Sequence, residues 1–443
     1  MDVRITPKKL SGTVTPPPSK SQAHRLLIAA TLGTGVSTVR GVAMSQDVEA
    51  TLRCLTALGG HWKETAPGTL EITGIGGRRC TGEDLPRLDC GESGSTLRFF
   101  IPIALAVAGG GVFTGHGRLM ERPQGPYFDL FREKGISYEQ KDGVLTVRGH
   151  LEPGEYKLAG NVSSQFFTGL LFALPLLGGP SVIRSTTEVE SRDYIAITRQ
   201  VLETAGVETT CKDNFRTLEI TGGTYHPIDE TVEADWSQAA FWYTAQGLGN
   251  SLTIQGMNPK SIQGDRVMAS FAEMLRGEPL SGGVTVPILG PASAAPAKPF
   301  QPPLRPGWTT PCVGSVSLPL TYCPDLAPPL AAWGALLNGT LYLKDAGRLR
   351  IKESDRLATI TAALRALGAD VTEEPDRLII NGKPALPGGT VDCANDHRIA
   401  MMAAIAATGC TGPVTLLGAE CVKKSYPDFW EVYQSLGGDI HVL

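Results

Sequence analysis

The sequence predicts an α/β protein built from six similar units in two lobes. Internal similarity is the first observation: "DVEATLRCLTALGGHWKETAPGTLEITG" matches "DYIAITRQVLETAGVETTCKDNFRTLEITG" and "DRLATITAALRALGADVTEEPDRLIING", and "PYFDLFREKGISYEQKDGVLTVRG" is a fourth copy. In each copy apolar residues recur at helical spacing, a Gly follows the helix, and two alternating strands come next. Repetition of this kind indicates one supersecondary unit used several times.

The spacing of the helix starts is the second observation. Each unit reads as a polar helix start, a helix, a strand, an acidic second helix and two short strands. The starts lie near Ser21, Ser93, Ser163, Asp235, Asp325 and Asp396, at intervals of 72, 70, 72, 90 and 71 residues. The last copy, "DFWEVYQSLGGDIHVL", stops after one strand. We therefore expect "DVRITP" at the N-terminus to complete its sheet, with both termini side by side.

Six units suggest two lobes of three, with helices inside and sheets outside. The chain would cross between the lobes near residues 18 and 233. One lobe would then hold residues 19–232, and the other residues 1–18 and 233–443. A cleft between two such lobes is the natural ligand site.

The fourth unit is about 18 residues longer than the others. The excess lies in the Pro-rich segment 277–311, which shows no periodicity, and two expected strands are not recognisable there. A surface loop insertion and local damage to the repeat both explain this pattern. The sequence leaves the two explanations open.

Composition excludes several classes of partner. The chain has 443 residues, 42% of them hydrophobic, and a net charge of −4, so no bulk field favours nucleic acid or a membrane surface. The longest apolar stretch, "FFIPIALAVAGGGVF", is too short and Gly-rich to span a bilayer. The opening "MDVRITP" reads as a strand and not an export signal, which favours the cytoplasm. The nine Cys and seven His show no metal-ligand spacing, so we expect no metal.

Basic residues at the helix starts point to an anion site. Ser, Asp and Asn there are ordinary N-caps, but Lys20, Arg25, Arg98 and the pair His397-Arg398 are not explained by capping. A cation at a helix N-terminus is unfavourable for the helix alone, whereas a phosphate or carboxylate is favourable. Several such ends converging on one cleft would bind a polyanion.

The stretch "KESDR", residues 352–356, adds acid–base chemistry. If a helix began at Lys352, Lys352 and Arg356 would lie one turn apart and repel each other. Shared anions between them would relieve that repulsion. Glu353 is then the surplus carboxylate, and a carboxylate among cations beside bound anions is a candidate proton carrier.

Eight ordered motifs resemble those of the 5-enolpyruvylshikimate-3-phosphate synthase family. They are "PSKSQAHRLL", "GESGSTLR", "ERP", "VSSQF", "PDLAPPLA", "IKESDR", "NDHR" and "KKSYPDF", spread over residues 19–429. The resemblance implies a two-lobed inverse α/β prism of six βαβαββ units. It also implies transfer of the enolpyruvyl group of phosphoenolpyruvate to the 5-hydroxyl of shikimate 3-phosphate. Phosphate would leave through a tetrahedral intermediate, without metal or organic cofactor, in a monomeric enzyme.

The same resemblance implies roles for individual residues. Contacts to shikimate 3-phosphate are implied for Lys20, Ser21, Arg25, Ser163, Ser164, Gln165, Ser191, Tyr194, Asp325 and Lys352. Contacts to phosphoenolpyruvate are implied for Lys20, Gly94, Arg122, Gln165, Arg356, Arg398 and Lys424. Asp325 and Glu353 would carry the two proton transfers, assisted by Lys20, Lys352 and His397. Which carboxylate performs which step stays open.

Two residues depart from the family pattern. Arg348 stands where many relatives have Asn, and Phe99 stands where many have Pro. Gly94 is retained, and an Ala at this position crowds glyphosate in the family. We therefore expect glyphosate to inhibit competitively.

Three other functions fit the sequence less well. UDP-N-acetylglucosamine enolpyruvyl transferase shares the fold but uses a mobile loop with a reactive Cys, and the corresponding "GHGRLMERPQG" has none. A non-catalytic polyanion-binding relative would have no use for Asp325 and Glu353. An RNA-processing enzyme of related architecture would need base-stacking aromatics and a basic stripe, which are lacking.

Overall fold

Five sheets share one four-stranded plan in the computed structural model, which describes residues 1–76, 84–276 and 313–443. In the sheet of residues 155–220, for example, the strand 155–158 is parallel to the strand 181–185. The strand 217–220 lies between the strands 181–185 and 209–212 and is antiparallel to both. The strands of the first lobe, with those that precede it, are β1 Val3–Thr6, β2 Ser11–Val14, β3 Val36–Arg40, β4 His61–Ala66, β5 Thr69–Thr73, β6 Arg87–Asp89, β7 Gly110–Thr114, β8 Ser137–Lys141, β9 Val144–Arg148, β10 Glu155–Leu158, β11 Ser181–Ser185, β12 Thr209–Lys212, β13 Thr217–Ile220 and β14 Asp229–Thr231. The later strands are β15 Ser251–Ile254, β16 Gly314–Pro319, β17 Gly339–Lys344, β18 Asp370–Glu374, β19 Arg377–Asn381, β20 Gly389–Asp392, β21 Val414–Leu417 and β22 Asp439–Val442.

Helices alternate with these strands as the repeats predict. The α-helices among the described residues are α1 Lys20–Leu32, α2 Gln46–Ala57, α3 Gly94–Ala108, α4 Gly125–Lys134, α5 Ser164–Ala173, α6 Arg192–Thr204, α7 Trp236–Gly247, α8 Met268–Arg276, α9 Ala327–Ala335, α10 Arg356–Ala366, α11 His397–Ala407 and α12 Phe429–Ser435. No helix in these ranges is long and apolar enough to cross a membrane. The mixed α/β repeat architecture is confirmed.

The N-terminal strand completes the sixth sheet, as predicted. Strand β1 lies between β21 and β22 and is antiparallel to both. Val3 pairs with Leu416 on one side and Val442 on the other, and Val3 is fully buried. Because side chains alternate across a strand, this register turns the apolar face of β1 inward. The two termini therefore share one sheet.

Two strands pair with a strand of one lobe but lead into a helix of the other lobe. Strand β2 leads into α1 but pairs with β15, while β14 leads into α7 but pairs with β3. Between them Pro18 and Ala234 form an antiparallel bridge. The backbone N–H of Ser19 donates to the Glu233 carbonyl at 2.7 Å. The two predicted crossing points thus run side by side; the lobe limits drawn from them stay a prediction.

The first helix of each unit packs inside and the sheets lie outside. Every residue of α11 is buried, and α3 is nearly as enclosed, whereas β4 is exposed along its whole length. Gly169 of α5 lets α3 approach closely, because a Cβ there would lie 2.5 Å from the Arg98 carbonyl oxygen. The predicted arrangement of helices and sheets is confirmed, and it brings several helix N-termini together.

The fourth unit is described only in part. Its helices α7 and α8 and the two-stranded sheet of β15 and β2 are present. The anomalous segment 277–311 lies outside the described residues. The choice between an insertion and a damaged repeat therefore stays open.

Candidate active site

The N-termini of the inner helices meet at one cavity between the lobes. Fifteen of the seventeen predicted site residues line it: Lys20, Ser21, Arg25, Arg122, Ser163, Ser164, Gln165, Ser191, Tyr194, Asp325, Lys352, Glu353, Arg356, His397 and Arg398. Gly94 and Lys424 do not line it. Ser95, Arg98, Asp235, Ser237, Gln238 and Arg348 are polar lining residues that were not predicted as site residues.

Side-chain N-caps fix the residues at which several of these helices begin. Ser93, Ser163, Asp235 and Asp396 each accept a hydrogen bond from a backbone N–H of the first turn, as expected for N-caps. At α1 the cap is Ser19, two residues before the predicted start, and this leaves Ser21 on the cavity wall.

Asp325 differs from the other predicted helix starts because it caps nothing. Pro324 begins a short 3₁₀ turn, Pro324–Leu326, and α9 follows it without a side-chain cap. The Asp325 carboxylate is therefore not used by the backbone and points to the cations of the cavity.

One guanidinium holds three carboxylates together. Arg356, which is 1% exposed, lies 3.0 Å from Asp325 Oδ1, 2.7 Å from Glu353 Oε2 and 2.8 Å from Asp396 Oδ2. Asp325 also contacts Arg398 Nη2 at 3.0 Å. The two carboxylates that the sequence singled out are thus neighbours through a shared cation.

The cations keep both carboxylates ionised. Burial opposes ionisation of Asp325, but Arg398, Lys352 and Arg356 outweigh it and hold its pKa below the usual range. Burial likewise opposes ionisation of Glu353, and Arg356 and Arg122 hold its pKa well below the usual range. Both groups are therefore proton acceptors before substrates bind.

The charge cluster "KESDR" avoids the predicted repulsion in two ways. Helix α10 begins at Arg356, and Asp355 caps it by accepting from the Ala358 N–H at 3.2 Å, so Lys352 lies outside the helix. Asp325 is the shared anion, 3.5 Å from Lys352 Nζ and 3.0 Å from Arg356 Nη1. The anion between the two cations belongs to the protein itself.

Arg25 forms the opposite wall of the cavity. Its guanidinium donates to the Ser21 carbonyl at 2.6 Å and to Thr198 Oγ1 at 2.8 Å, and it lies 5.1 Å from the centroid of the Phe99 ring. Burial lowers the pKa of Arg25 to about 10. The departure at Phe99 thus supplies an aromatic face beneath a buried cation.

Arg98 joins the N-termini of two inner helices. Its Nη1 donates to Gln165 Oε1 at 2.7 Å, and Gln165 Nε2 donates to Ser95 Oγ at 2.9 Å. Burial, and then the charge of Arg122, lowers the pKa of Arg98 to about 9. Its sequence signals were its position in the first turns of a helix and its place at the end of the motif "GESGSTLR".

Comparison with known proteins decides the family. The family model described as EPSP synthase (3-phosphoshikimate 1-carboxyvinyltransferase) matches residues 5–433. The chain belongs to the EPSP synthase family. A 3-phosphoshikimate 1-carboxyvinyltransferase of Clostridium kluyveri is 44% identical over 99% of this chain and 98% of its own length, and one of Clostridium beijerinckii is 40% identical with the same coverage. An EPSP synthase structure from Acinetobacter baumannii covers all of both chains with a TM-score of 0.73 at 24% identity, which shows the common fold.

Membership in the EPSP synthase family corrects none of the predicted positions, but it leaves their roles untested. UDP-N-acetylglucosamine enolpyruvyl transferase, the alternative weighed from sequence, is not favoured by these matches. Among the described residues, no group of three or more His, Cys, Asp or Glu side chains could hold a metal ion.

Gly94 and Lys424 are the two predicted residues outside the cavity wall. Gly94 lies behind Arg122, and a Cβ there would be 2.5 Å from Arg122 Nη1. Lys424 Nζ is 2.6 Å from Glu92 Oε2 and donates to the Asn395 carbonyl at 2.6 Å. Gly94 thus makes room for a lining residue, and Lys424 is paired across the lobes.

Lys20 and His397 are two further predicted site residues on the cavity wall. Lys20 Nζ pairs with Asp47 Oδ2 at 2.6 Å. His397 is 2% exposed, and neither ring nitrogen has a hydrogen-bond partner among the described residues. Burial and the charge of Lys20 hold the pKa of His397 well below its usual range, so the ring is neutral.

Arg348 extends across the cavity to the other lobe. Its Nη2 donates to Ser191 Oγ at 3.0 Å and to the Thr321 carbonyl at 2.6 Å, and its Nε forms an ion pair with Glu190. Ser191 adopts a left-handed backbone, with φ of 52°, at the start of α6. The residue that replaces the family's Asn is therefore tied to a predicted shikimate contact.

The cavity carries a large excess of positive charge. Eight Lys and Arg side chains line it, against the three carboxylates of Asp235, Asp325 and Glu353. Asp47, Glu190 and Asp396, which do not line the cavity, pair with Lys20, Arg348 and Arg356, so five is the excess among the lining side chains and not the net charge of the region. A cavity wall lined mainly by cations explains how a chain of net charge −4 can have a local site for anions.

Proposed function

We propose that this chain transfers the enolpyruvyl group of phosphoenolpyruvate to the 5-hydroxyl of shikimate 3-phosphate and releases phosphate. The observation that carries the proposal is the placement of Asp325 and Glu353 on one guanidinium, that of Arg356, in a cavity lined by eight Lys and Arg side chains. A site that only bound anions would not need two ionised carboxylates in its wall.

The two walls suggest how the substrates divide the cavity. Arg25, Ser163 and Ser164 lie on the first-lobe wall with Tyr194, and we assign shikimate 3-phosphate to this side. Arg122, which is 3.9 Å from Glu353, faces the side that we assign to phosphoenolpyruvate. Arginine suits both because its planar fork binds phosphate and carboxylate through paired hydrogen bonds.

The proton transfers follow from this division. Asp325, which contacts Tyr194 of the shikimate wall at 3.3 Å, is assigned the proton of the 5-hydroxyl. Glu353 is assigned the transfer to the methylene carbon of phosphoenolpyruvate. Glu353 can load this proton because a bound phosphoenolpyruvate trianion opposes its ionisation. After the hydroxyl oxygen has added to the enolpyruvyl carbon, the Glu353 carboxylate takes back one methyl proton and the C–H electron pair restores the double bond. Phosphate leaves with the electron pair of its C–O bond and takes the proton that Asp325 received from the 5-hydroxyl.

Phosphate release by the purified protein tests the proposal. We expect release from phosphoenolpyruvate only when shikimate 3-phosphate is also present, and loss of turnover but not of shikimate 3-phosphate binding in Glu353→Gln. Binding without any turnover in the wild type would support a polyanion-binding protein. Release that depends on UDP-N-acetylglucosamine, and not on shikimate 3-phosphate, would contradict the proposal.

Glyphosate is proposed to compete with phosphoenolpyruvate. Support comes from Gly94, since a Cβ at this position would displace Arg122 of the assigned phosphoenolpyruvate side. We expect an inhibition constant near the phosphoenolpyruvate KM, and a weaker inhibitor in Gly94→Ala. An inhibition constant far above that KM in the wild type would overturn the expectation.

Oligomeric state, lobe limits and cellular location are three further proposals. We propose a monomer with lobes of residues 19–232 and of residues 1–18 with 233–443, located in the cytoplasm. Light scattering of the purified protein tests the oligomeric state. Separate expression of the 19–232 lobe tests its limits, and cell fractionation tests the location.

A further inference from the structure

A buried carboxylate outside the predicted site lies directly behind the cavity wall. Asp265, in the turn Gly264–Val267, is 5% exposed. The Tyr194 hydroxyl lies 3.3 Å from Asp265 Oδ2 and also 3.3 Å from Asp325 Oδ2. A phenol from the first lobe thus bridges two carboxylates of the second, and one of them is the assigned base.

Counting protons shows that the three groups need one more than Tyr194 supplies. One hydroxyl hydrogen cannot be donated to both carboxylates at once. If both were ionised, one oxygen would face the phenol oxygen with no hydrogen between them, in a buried place where an unmade hydrogen bond is costly. A proton on one carboxyl group completes the chain.

Geometry assigns that proton to Asp265. Asp325 lies 3.0 Å from both Arg356 Nη1 and Arg398 Nη2, so its ionised form is stabilised. In the described part of the chain, no Lys, Arg or His nitrogen lies within ion-pair distance of Asp265, and Asp265 Oδ1 is buried without a hydrogen-bond partner. An isolated buried carboxyl group favours the neutral acid.

The charges around Asp265 also favour its protonated form. Burial, and then the charge of Asp325, raises the pKa of Asp265 to about 8. The titratable and charged groups that face it are those of Tyr194, Asp235, Cys323, Asp325 and Arg398, and the Asp193 carboxylate lies against the adjacent Gly264. Arg398 opposes the shift, but its guanidinium is committed to Asp325.

We propose that Asp265 is a positioning residue for the enolpyruvyl transfer: as the uncharged acid it donates to the Tyr194 oxygen and thereby directs the Tyr194 hydroxyl proton to Asp325 Oδ2. The inference rests on the proposed function, because it concerns the base of that reaction. When Asp265 ionises at alkaline pH, it becomes an acceptor and competes with Asp325 for the Tyr194 proton. Turnover then falls because the base loses its fixed hydrogen bond.

Three variants of one position and a double-mutant cycle test this role. We expect Asp265→Ala to lower kcat about tenfold at neutral pH, as loss of one orienting hydrogen bond does. Asp265→Asn keeps a donor at the same place, so it should recover most of that loss. The wild type should lose kcat as pH rises through about 8, where Asp265 ionises, and Asp265→Asn should lack this limb. In a Tyr194→Phe background, Asp265→Ala should lower kcat by less than about twofold, because the hydroxyl that joins Asp265 to Asp325 is already absent.

Asp193→Asn is the matched control. Asp193 is a carboxylate with a pKa raised by burial, adjacent to Tyr194 in α6, and no hydrogen bond to Asp325 joins it among the described residues. Its replacement should leave the alkaline limb in place. The inference is overturned if Asp265→Asn is as impaired as Asp265→Ala, or if its pH profile matches that of the wild type.

Infrared difference spectroscopy gives a readout that does not need turnover. A protonated-carboxyl band should disappear as pH rises through about 8 and should be absent in Asp265→Asn. This separates the two possible failures. No phosphate release by the wild type, with the band present, would refute the proposed function alone. Release by the wild type without such a band would refute the role of Asp265 alone.

Discussion

Two arginines on one wall of the cavity and two on the other are in opposite electrostatic states, whereas burial lowers the pKa of Arg348 on the second-lobe wall in spite of its ion pair with Glu190. On the first-lobe wall Arg25 and Arg98 donate to neutral oxygens, and burial lowers their pKa values to about 10 and about 9. On the second-lobe wall burial has the same sign, but Asp396 raises the pKa of Arg356 and Asp325 raises that of Arg398. The same residue type is therefore uncompensated on one side and neutralised on the other.

This difference suits the two walls to different tasks, anion binding on one and proton transfer on the other. An uncompensated buried guanidinium gains most from an arriving phosphate, because its charge-assisted hydrogen bonds form in a water-poor place. A neutralised guanidinium gains less from a ligand but fixes the carboxylates that it holds. The first wall is thus suited to hold anions and the second to position proton carriers.

Removing a carboxylate from the second wall should have the largest effect. We expect Asp325→Asn to lower kcat by about a thousandfold, within the range for loss of a general base. Shikimate 3-phosphate should still bind, because the cations of the first wall remain. Phosphate release and calorimetry measure the two quantities. Asp370→Asn, at an exposed position at the start of strand β18, is the control, and kcat of Asp325→Asn within fivefold of wild type would contradict the assignment.

The second effect concerns folding stability. Arg356→Met should lower the free energy of unfolding by about 3 to 5 kcal/mol, because Asp396 is left buried without its cation. Urea denaturation measures this. Arg377→Met removes an ion pair with Glu374 at the surface and should change little. Equal losses in the two variants would show that the buried network does not stabilise the second lobe.

Arg25→Met should weaken ligand binding strongly but change folding stability little, the reverse of Arg356→Met. We expect shikimate 3-phosphate to bind about a hundredfold more weakly, the loss of a buried charged contact to phosphate. The unfolding midpoint without ligand should stay close to that of the wild type, because the variant no longer buries an uncompensated charge. Calorimetry and thermal melts test both parts, with the exposed Arg184→Met as control. A melting point that falls as far as that of Arg356→Met would remove the distinction between the walls.

The sequence predicted what depends on local pattern. Ser93, Ser163, Asp235 and Asp396 are the caps that their helix starts indicated, and β1 closes the last sheet. These features follow from periodicity and from the repeat itself. The position of Asp325 followed from the spacing of the repeats and its role from the resemblance, but its freedom from capping depends on the 3₁₀ turn Pro324–Leu326, which helical spacing does not indicate.

Contacts between units could not be predicted in the same way. Asp265 lies 60 residues before Asp325 in the chain and meets it only through Tyr194 of the other lobe. Lys424 likewise finds Glu92 across the lobes. Such pairs depend on how two packed lobes face each other, and no periodicity within one unit reports that geometry.

The smallest predicted effect tests how the first wall holds its cation. Phe99→Leu removes the ring 5.1 Å from the Arg25 guanidinium, and a cation–π contact is worth about 1 kcal/mol. We expect shikimate 3-phosphate to bind about fivefold more weakly, as measured by calorimetry. Phe172→Leu truncates the ring that packs against Phe99 at 6.4 Å but leaves Phe99 beneath Arg25. If both variants weaken binding equally, core packing rather than the aromatic face positions Arg25; if only Phe99→Leu does, the ring that replaces the family's Pro sets the strength of the first wall.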